Sequence, residues 1–165
     1  MQSKAKQGKN TQLGSCVLYA DENPFNVIAP GKRPRDTLTP ALAIKDGKPY
    51  LSFAVQGGDT QDQNLLQFFL NMVEFDMNVQ EATEAANVNS YQMYSSFGKH
   101  SKEAGRIVVQ EDTPPWVIKD LSKMGYNIQK RRLTSGPINA IWFDWEHNTM
   151  WGGSSNYGED YGIGW

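Results

Sequence analysis

Residues 31–59 read GKRPRDTLTPALAIKDGKPYLSFAVQGGD, and this stretch decides the fold. Two apolar runs, Ala41 to Ile44 and Tyr50 to Val55, flank Lys45-Asp46-Gly47-Lys48. An Asp-Gly step between apolar runs is a strong short-range signal for a β-hairpin, because the favoured two-residue turn needs positive φ at both central positions. The spacing predicts two antiparallel strands. The second strand runs into Gly57-Gly58, and Asp59 stands three residues before Asp62, a pattern that predicts an N-cap and the start of a helix. A strand that delivers two glycines to a helix start is chemically useful, since backbone N–H groups and the positive end of a helix dipole can hold an anion or a developing oxyanion.

Beyond this stretch, Leu65, Leu66, Phe68, Phe69, Leu70, Met72, Val73 and Phe75 cover so much of a helical wheel that a largely buried helix is expected over 60–75. Asn78 with Glu81 is a capping-box pattern for a short helix running to about Ala86. Tyr91 to Ser95 and Arg106 to Gln110 read as strands around a polar loop that holds His100. Thr113 with Pro114 at the first helical position, Val117, Leu121 and Met124 on one face and Gly125 as the stop predict an amphipathic helix, with Trp116 packed beside that face. Tyr126 to Leu133 and Ile138 to Trp145 read as strands joined across Ser135-Gly136-Pro137, and Glu146-His147-Asn148 turns the chain into residues 149–152. From Gly152 onward the glycine-rich sequence reads as a loop. His147 has no acid neighbour visible in the sequence and is expected to be a plain turn residue.

A chain of 165 residues with 39% hydrophobic and 12% aromatic residues suits one globular domain, and its net charge of −2 gives no field for nucleic acid or an anionic membrane. The single cysteine, Cys16, excludes an internal disulfide, and His100 and His147 have no ligand-like spacing with it, so neither a metal nor another cofactor is expected. The longest apolar run is too short and too interrupted to cross a bilayer, and no charged-then-apolar signal opens the chain, which leaves the compartment open. Residues 1–12 carry three lysines among polar residues and read as a frayed lead-in, with the domain over 13–165. Cys16 to Tyr19 suggests a short strand with Cys16 in the core.

GKRPRDTLTP followed by KDGKP and then Gly-Gly at a strand end resembles the small, C-terminal subunit of γ-glutamyltranspeptidases, which are N-terminal-nucleophile hydrolases. The resemblance continues through QEDTPPWVIKDLSKMGYNIQ into the closing GGSSNYGEDYGIGW. It implies an α+β fold, the C-terminal part of an αββα sandwich with antiparallel strands covered by helices. It also implies a chemistry. In that family a threonine freed by self-cleavage attacks the γ-glutamyl carbonyl, its own α-amino group serves as base, and the acyl-enzyme passes to water or to an acceptor amino acid.

Carried over residue by residue, Gly57 and Gly58 match the family's oxyanion pair. Asp36 and Thr37 stand where the family commonly has two serines that hydrogen-bond the substrate's α-carboxylate; Thr37 can donate, whereas an ionised Asp36 would repel that group. Lys32 and Arg33 belong to the motif, as loop anchors or substrate contacts. Asp59 replaces the serine that commonly follows the glycines and is expected to cap the helix. No threonine matching the nucleophile is found: Thr11 and Ser15 lack its strand context. The expected partner is therefore an N-terminal segment or large subunit that brings the nucleophile, acting on a small γ-glutamyl or related amide. Without that partner the strands would expose apolar faces and unpaired edges, and the chain would associate or stay loosely packed. Two rival readings stand beside this one: an inactive structural or binding module, and a related amide acylase with a different acyl group.

Overall fold

In the computed structural model the described residues are 30–31, 37–97, 99–134, 136–157 and 162. In chain order they form β1 (Ala41–Lys45), β2 (Lys48–Val55), a 3₁₀ turn (Gly58–Thr60), α1 (Gln61–Val73), α2 (Val79–Glu84), β3 (Val88–Ser90), β4 (Arg106–Gln110), α3 (Pro115–Lys123), β5 (Asn127–Arg131), β6 (Ile138–Asp144) and β7 (Thr149–Ser154). The lead-in over 1–12, the strand expected over 16–19, and Thr11, Ser15, Cys16, Lys32, Arg33 and Asp36 lie outside the described residues.

The hairpin forms as its sequence predicts. β1 and β2 pair antiparallel and close on Asp46 and Gly47, whose φ values of 52° and 75° are both positive, as the turn demands. β2 then pairs with β6, and β6 with β7, giving an antiparallel sheet of order β1-β2-β6-β7. Alternation decides its two faces. Leu51, Phe53, Val55, Ile138 and Ala140 point inward and meet Leu65, Phe68 and Met72 of α1 and Val79 and Ala82 of α2 in one core. Phe68, only 1% exposed, packs its ring 5.4 Å from that of Phe53, and burying a side chain of this size stabilises by roughly 1.5–3 kcal/mol. The opposite face carries Leu42, Ile141, Phe143 and Met150, and no element of the described chain covers it: Leu42 is 58% and Met150 69% exposed.

A second, three-stranded sheet has the order β3-β4-β5. Its β4 and β5 run parallel, joined through α3, so the expectation of antiparallel strands throughout fails here; a helix between two strands returns the chain in the same direction. The strands on either side of Gly136 therefore belong to different sheets. The strand expected over Tyr91 to Ser95 lies instead at Val88–Ser90. Two glutamines of α1 explain this placement. Ser90 N–H donates to Gln63 Oε1 (2.7 Å) and Gln63 Nε2 to the Ser90 carbonyl (3.1 Å), while Val88 N–H donates to Gln67 Oε1 (2.9 Å) and Gln67 Nε2 to the Val88 carbonyl (2.8 Å). The carboxamides stand in for a neighbouring strand. Gln80 of α2 does the same for Ser154, which extends β7 past Gly152, where the sequence suggests a loop.

The Asn78 capping box is present with both arms, at 2.9 Å each. Other helix expectations need correction. α1 buries Leu65, Phe68 and Met72 on one face, while Leu66 is 59% exposed and Phe75, just past the helix end, 68% exposed. In α3 it is Pro115 that begins the helix, Pro114 is the cap residue, and Trp116 is 69% exposed rather than packed.

Candidate functional site

The junction between β2 and α1 is built on backbone that only glycine adopts readily. Gly57 has φ 155° and Gly58 φ 62°, and a Cβ on Gly57 would lie 2.9 Å from Thr60 Oγ1, one on Gly58 3.0 Å from the Phe97 ring. The Gly57 carbonyl is occupied, accepting from Thr60 Oγ1 at 3.0 Å. The N–H groups of Gly57 and Gly58 have no acceptor among the described residues. Two unused donors thus sit just before a 13-residue helix, whose aligned peptide dipoles add partial positive charge, equivalent to roughly half an elementary charge, at this end. From behind, the loop before β6 fixes the turn: Gln56 N–H donates to the Pro137 carbonyl at 3.3 Å, and Gly136 lies so close to the Gln56 backbone that no side chain fits.

Asp59 does not cap α1. The helix begins at Gln61 with no side-chain cap, because the 3₁₀ turn over Gly58–Thr60 comes first and carries Asp59 outward. Asp59 Oδ2 instead accepts from Ser95 Oγ (3.1 Å) and Ser96 N–H (2.7 Å), tying the glycine turn to the loop that follows β3. Between them lies a cleft of about 280 Å³ lined by Asp59, Thr60 and Gln63 on one side and by Tyr91, Tyr94, Glu103 and Arg106 among others on the opposite side. Arg106 is held by Glu103 and by Gln129 Oε1 (3.2 and 3.0 Å from Nε and Nη2), and its guanidinium lies 4.5 Å from the Tyr91 ring centre.

Of the residues singled out in the sequence, Gly57 and Gly58 come together with the 37–40 segment. The Thr39 hydroxyl donates to the Gln61 side chain, which is buried at the first turn of α1, and so holds this segment beside the glycine junction. Thr37, two residues earlier, is half-buried, and its neighbour Asp36 lies outside the described residues. His100 is an exposed loop residue, as expected, with Nδ1 2.8 Å from the Ser95 carbonyl. His147, in contrast, has an acid partner: its Nδ1 lies 2.8 Å from Asp144 Oδ2, and the backbone N–H groups of Glu146 and His147 donate to Asp144 Oδ1. Burial disfavours the charge on Asp144, but the His147 side chain and these backbone donors outweigh it and hold the carboxyl below its ordinary value of 3.8. No three His, Cys, Asp or Glu side chains group as metal ligands among the described residues. Sequence reasoning missed Ser95 and Arg106 at the cleft and Ser96 beside it, and the one local signal for the two serines is the polar run that separates β3 from β4.

Residues 1–165 match the family model described as Gamma-glutamyltranspeptidase. Over 140 residues the chain is 29% identical to the "Glutathione hydrolase proenzyme" of Bacillus subtilis (strain 168), covering 84% of this chain and 22% of that protein. It is 28% identical to the "Acylase ACY 1 proenzyme" of Pseudomonas sp. (strain V22), covering 85% of this chain and 26% of that one. The chain therefore spans about a fifth to a quarter of the length of these relatives. Its structure is similar to that of Helicobacter pylori gamma-glutamyltranspeptidase, with a TM-score of 0.63 at 23% identity over 78% of this chain and 65% of that one. This likeness shows the fold, which is that of the matching part of the gamma-glutamyltranspeptidase chain.

Proposed function

This chain belongs to the gamma-glutamyltranspeptidase family, and from that premise we propose that its Gly57-Gly58 junction is the oxyanion-holding part of an amide acyl-transfer site. When a nucleophile adds to an amide carbonyl, the oxygen takes up negative charge, and two preorganised N–H groups beside a helix start stabilise that charge more than they stabilise the neutral carbonyl. The nucleophile is supplied by a family-type segment or subunit that bears the self-cleaved threonine, and the acyl group lies against Thr37. The substrate is a small γ-glutamyl or related amide.

The observation that carries this reading is the pair of consecutive glycines at positive φ whose N–H groups both lack an acceptor among the described residues. The apolar sheet face of Leu42, Ile141, Phe143 and Met150, covered by no element among the described residues, supports the need for a partner layer, because contiguous exposed apolar surface of this kind marks an interface. The names of the relatives, both proenzymes, are consistent with a second subunit.

The test is hydrolysis of a γ-glutamyl anilide by the purified chain, alone and mixed with the nucleophile-bearing segment of a family member. Turnover is expected only on mixing, and Gly58→Ala should lower kcat by about 10²–10³-fold, the usual cost of an oxyanion donor. Silence in both arrangements, or full activity in the variant, overturns the proposal. A second reading, an acylase for a different acyl group, draws on Asp36 and on the similarity to an acylase. A panel of acyl amides separates the two: turnover confined to γ-glutamyl amides removes the second.

A further inference from the structure

Among the charged side chains that line the cleft beside the glycine junction, one has no ion-pair partner among the described residues. Asp59 immediately follows Gly58, and its carboxylate stands on the cleft wall. Ser95 Oγ and Ser96 N–H both bind Oδ2, which fixes the direction of the carboxylate and leaves Oδ1 with no donor among the described residues. No Lys, Arg or His of the described chain forms an ion pair with Asp59.

The two other charged side chains that line the cleft are matched to each other. Glu103 is paired with Arg106, and Arg106 in turn is committed to Gln129 and to the Tyr91 ring. Lys102 places its ammonium 4.7 Å from the Tyr94 ring centre, so the second aromatic wall carries an internal cation as well. An incoming anion finds no free guanidinium, and an incoming cation finds both rings taken. What remains is one oriented carboxylate, with the apolar side chain of Met93 on the same cleft. Its chemical complement is a primary ammonium on a compact, partly apolar body.

We infer that this cleft binds the free amine of the acyl transfer, the product released from the amide or the acceptor before it reacts, with its ammonium at Asp59; an acceptor gives up one proton to the nucleophile's α-amino group before its nitrogen attacks the acyl carbonyl. Assigning the amine that role rests on the acyl-transfer reading; the binding itself does not. The position suits it, since residue 59 adjoins the N–H groups assigned to the carbonyl oxygen, and the amine is the carbonyl's other substituent.

Saturation-transfer NMR with benzylamine, set against the neutral benzyl alcohol, tests the binding on the chain as purified, whether monomeric or associated. At neutral pH the amine should bind about tenfold more tightly than the alcohol, and Asp59→Asn should remove that advantage, as expected for the loss of one charge-assisted hydrogen bond. Asparagine retains an acceptor for Ser95 and Ser96, and a matched melting curve checks that the loop is kept. Equal signals from amine and alcohol, no saturable signal, or an amine signal unchanged in Asp59→Asn each overturn the inference. Amine binding without anilide hydrolysis on mixing would overturn the acyl-transfer reading alone, and hydrolysis without amine binding would overturn this site alone.

Discussion

Gly136→Ala places one methyl group where it does the most damage near the glycine junction. An ideal Cβ there lies 1.6 Å from the Gln56 carbonyl oxygen, 2.5 Å from its carbon and 3.1 Å from its Cα. All three are backbone atoms, so no rotamer change relieves the overlap, and the loop and the end of β2 must separate by roughly 1.5–2 Å to reach van der Waals distance. That movement breaks the 3.3 Å bond from Gln56 N–H to the Pro137 carbonyl. The lost bond costs about 0.5–1.5 kcal/mol and the residual overpacking about 1–3 kcal/mol, while alanine's smaller unfolded-state entropy returns about 0.4–1 kcal/mol. The net expectation is a destabilisation of about 2 kcal/mol, a fall in Tm of about 4–8 °C for a domain of this size. Activity should fall further than stability, because Gln56 adjoins Gly57 and misplacing an oxyanion donor by about 1 Å costs on the order of 100-fold. Circular-dichroism melting and anilide turnover on mixing are the two assays. Gly152→Ala is the control: a Cβ there meets nothing within 4 Å, and the residue is not in the positive-φ region. Melting of the two variants within about 1 °C of each other, with equal turnover, would refute the reasoning.

Two further predictions concern polar groups away from the junction. Asn64 is fully buried on the sheet-facing side of α1 with neither its oxygen nor its nitrogen hydrogen-bonded, so Asn64→Leu should raise stability by about 1–3 kcal/mol in denaturant titration, and a lower midpoint would mean that the carboxamide has a partner. Asp144, whose folded carboxyl sits below 3.8, contributes stability that is fully present above that ordinary value and lost as pH falls through the lower folded one. The difference in Tm between wild type and Asp144→Asn should therefore shrink as pH falls from about 5 toward about 3, and a difference that persists unchanged there would assign the effect to packing.

What proved legible in the sequence was what lies within a few residues along the chain. Asp46-Gly47 closes the hairpin because the turn's backbone conformation is a property of those two residues, and Asn78 with Glu81 caps α2 because both arms of a capping box span one helical turn. The hydrophobic pattern likewise places α1 and β6 correctly, although it overstates the burial of α1, whose outer side chains meet no described partner.

Errors collect where a distant partner decides. Asp59 has the local pattern of an N-cap, but Ser95 and Ser96, thirty-six and thirty-seven residues on, offer donors that the 3₁₀ turn lets it reach. The position of β3 depends on Gln63 and Gln67 of another element, and nothing in residues 88–95 announces them. His147 shows the same limit at short range: Asp144 lies only three residues away, yet the pairing requires the turn after β6 to fold both side chains to one side.

The sequence by itself determined the hairpin, the capped helix and the glycine pair, since local φ/ψ preference and one-turn hydrogen bonds specify each. Tertiary structure alone decided that both glycine N–H groups find no acceptor among the described residues, that Gly136 braces the junction and that the Asp59 carboxylate faces a cleft. Each of these depends on contacts between segments brought together only by burial of the shared core, and burial is non-directional: it selects which faces meet, while the chain's packing fixes which polar groups then find partners.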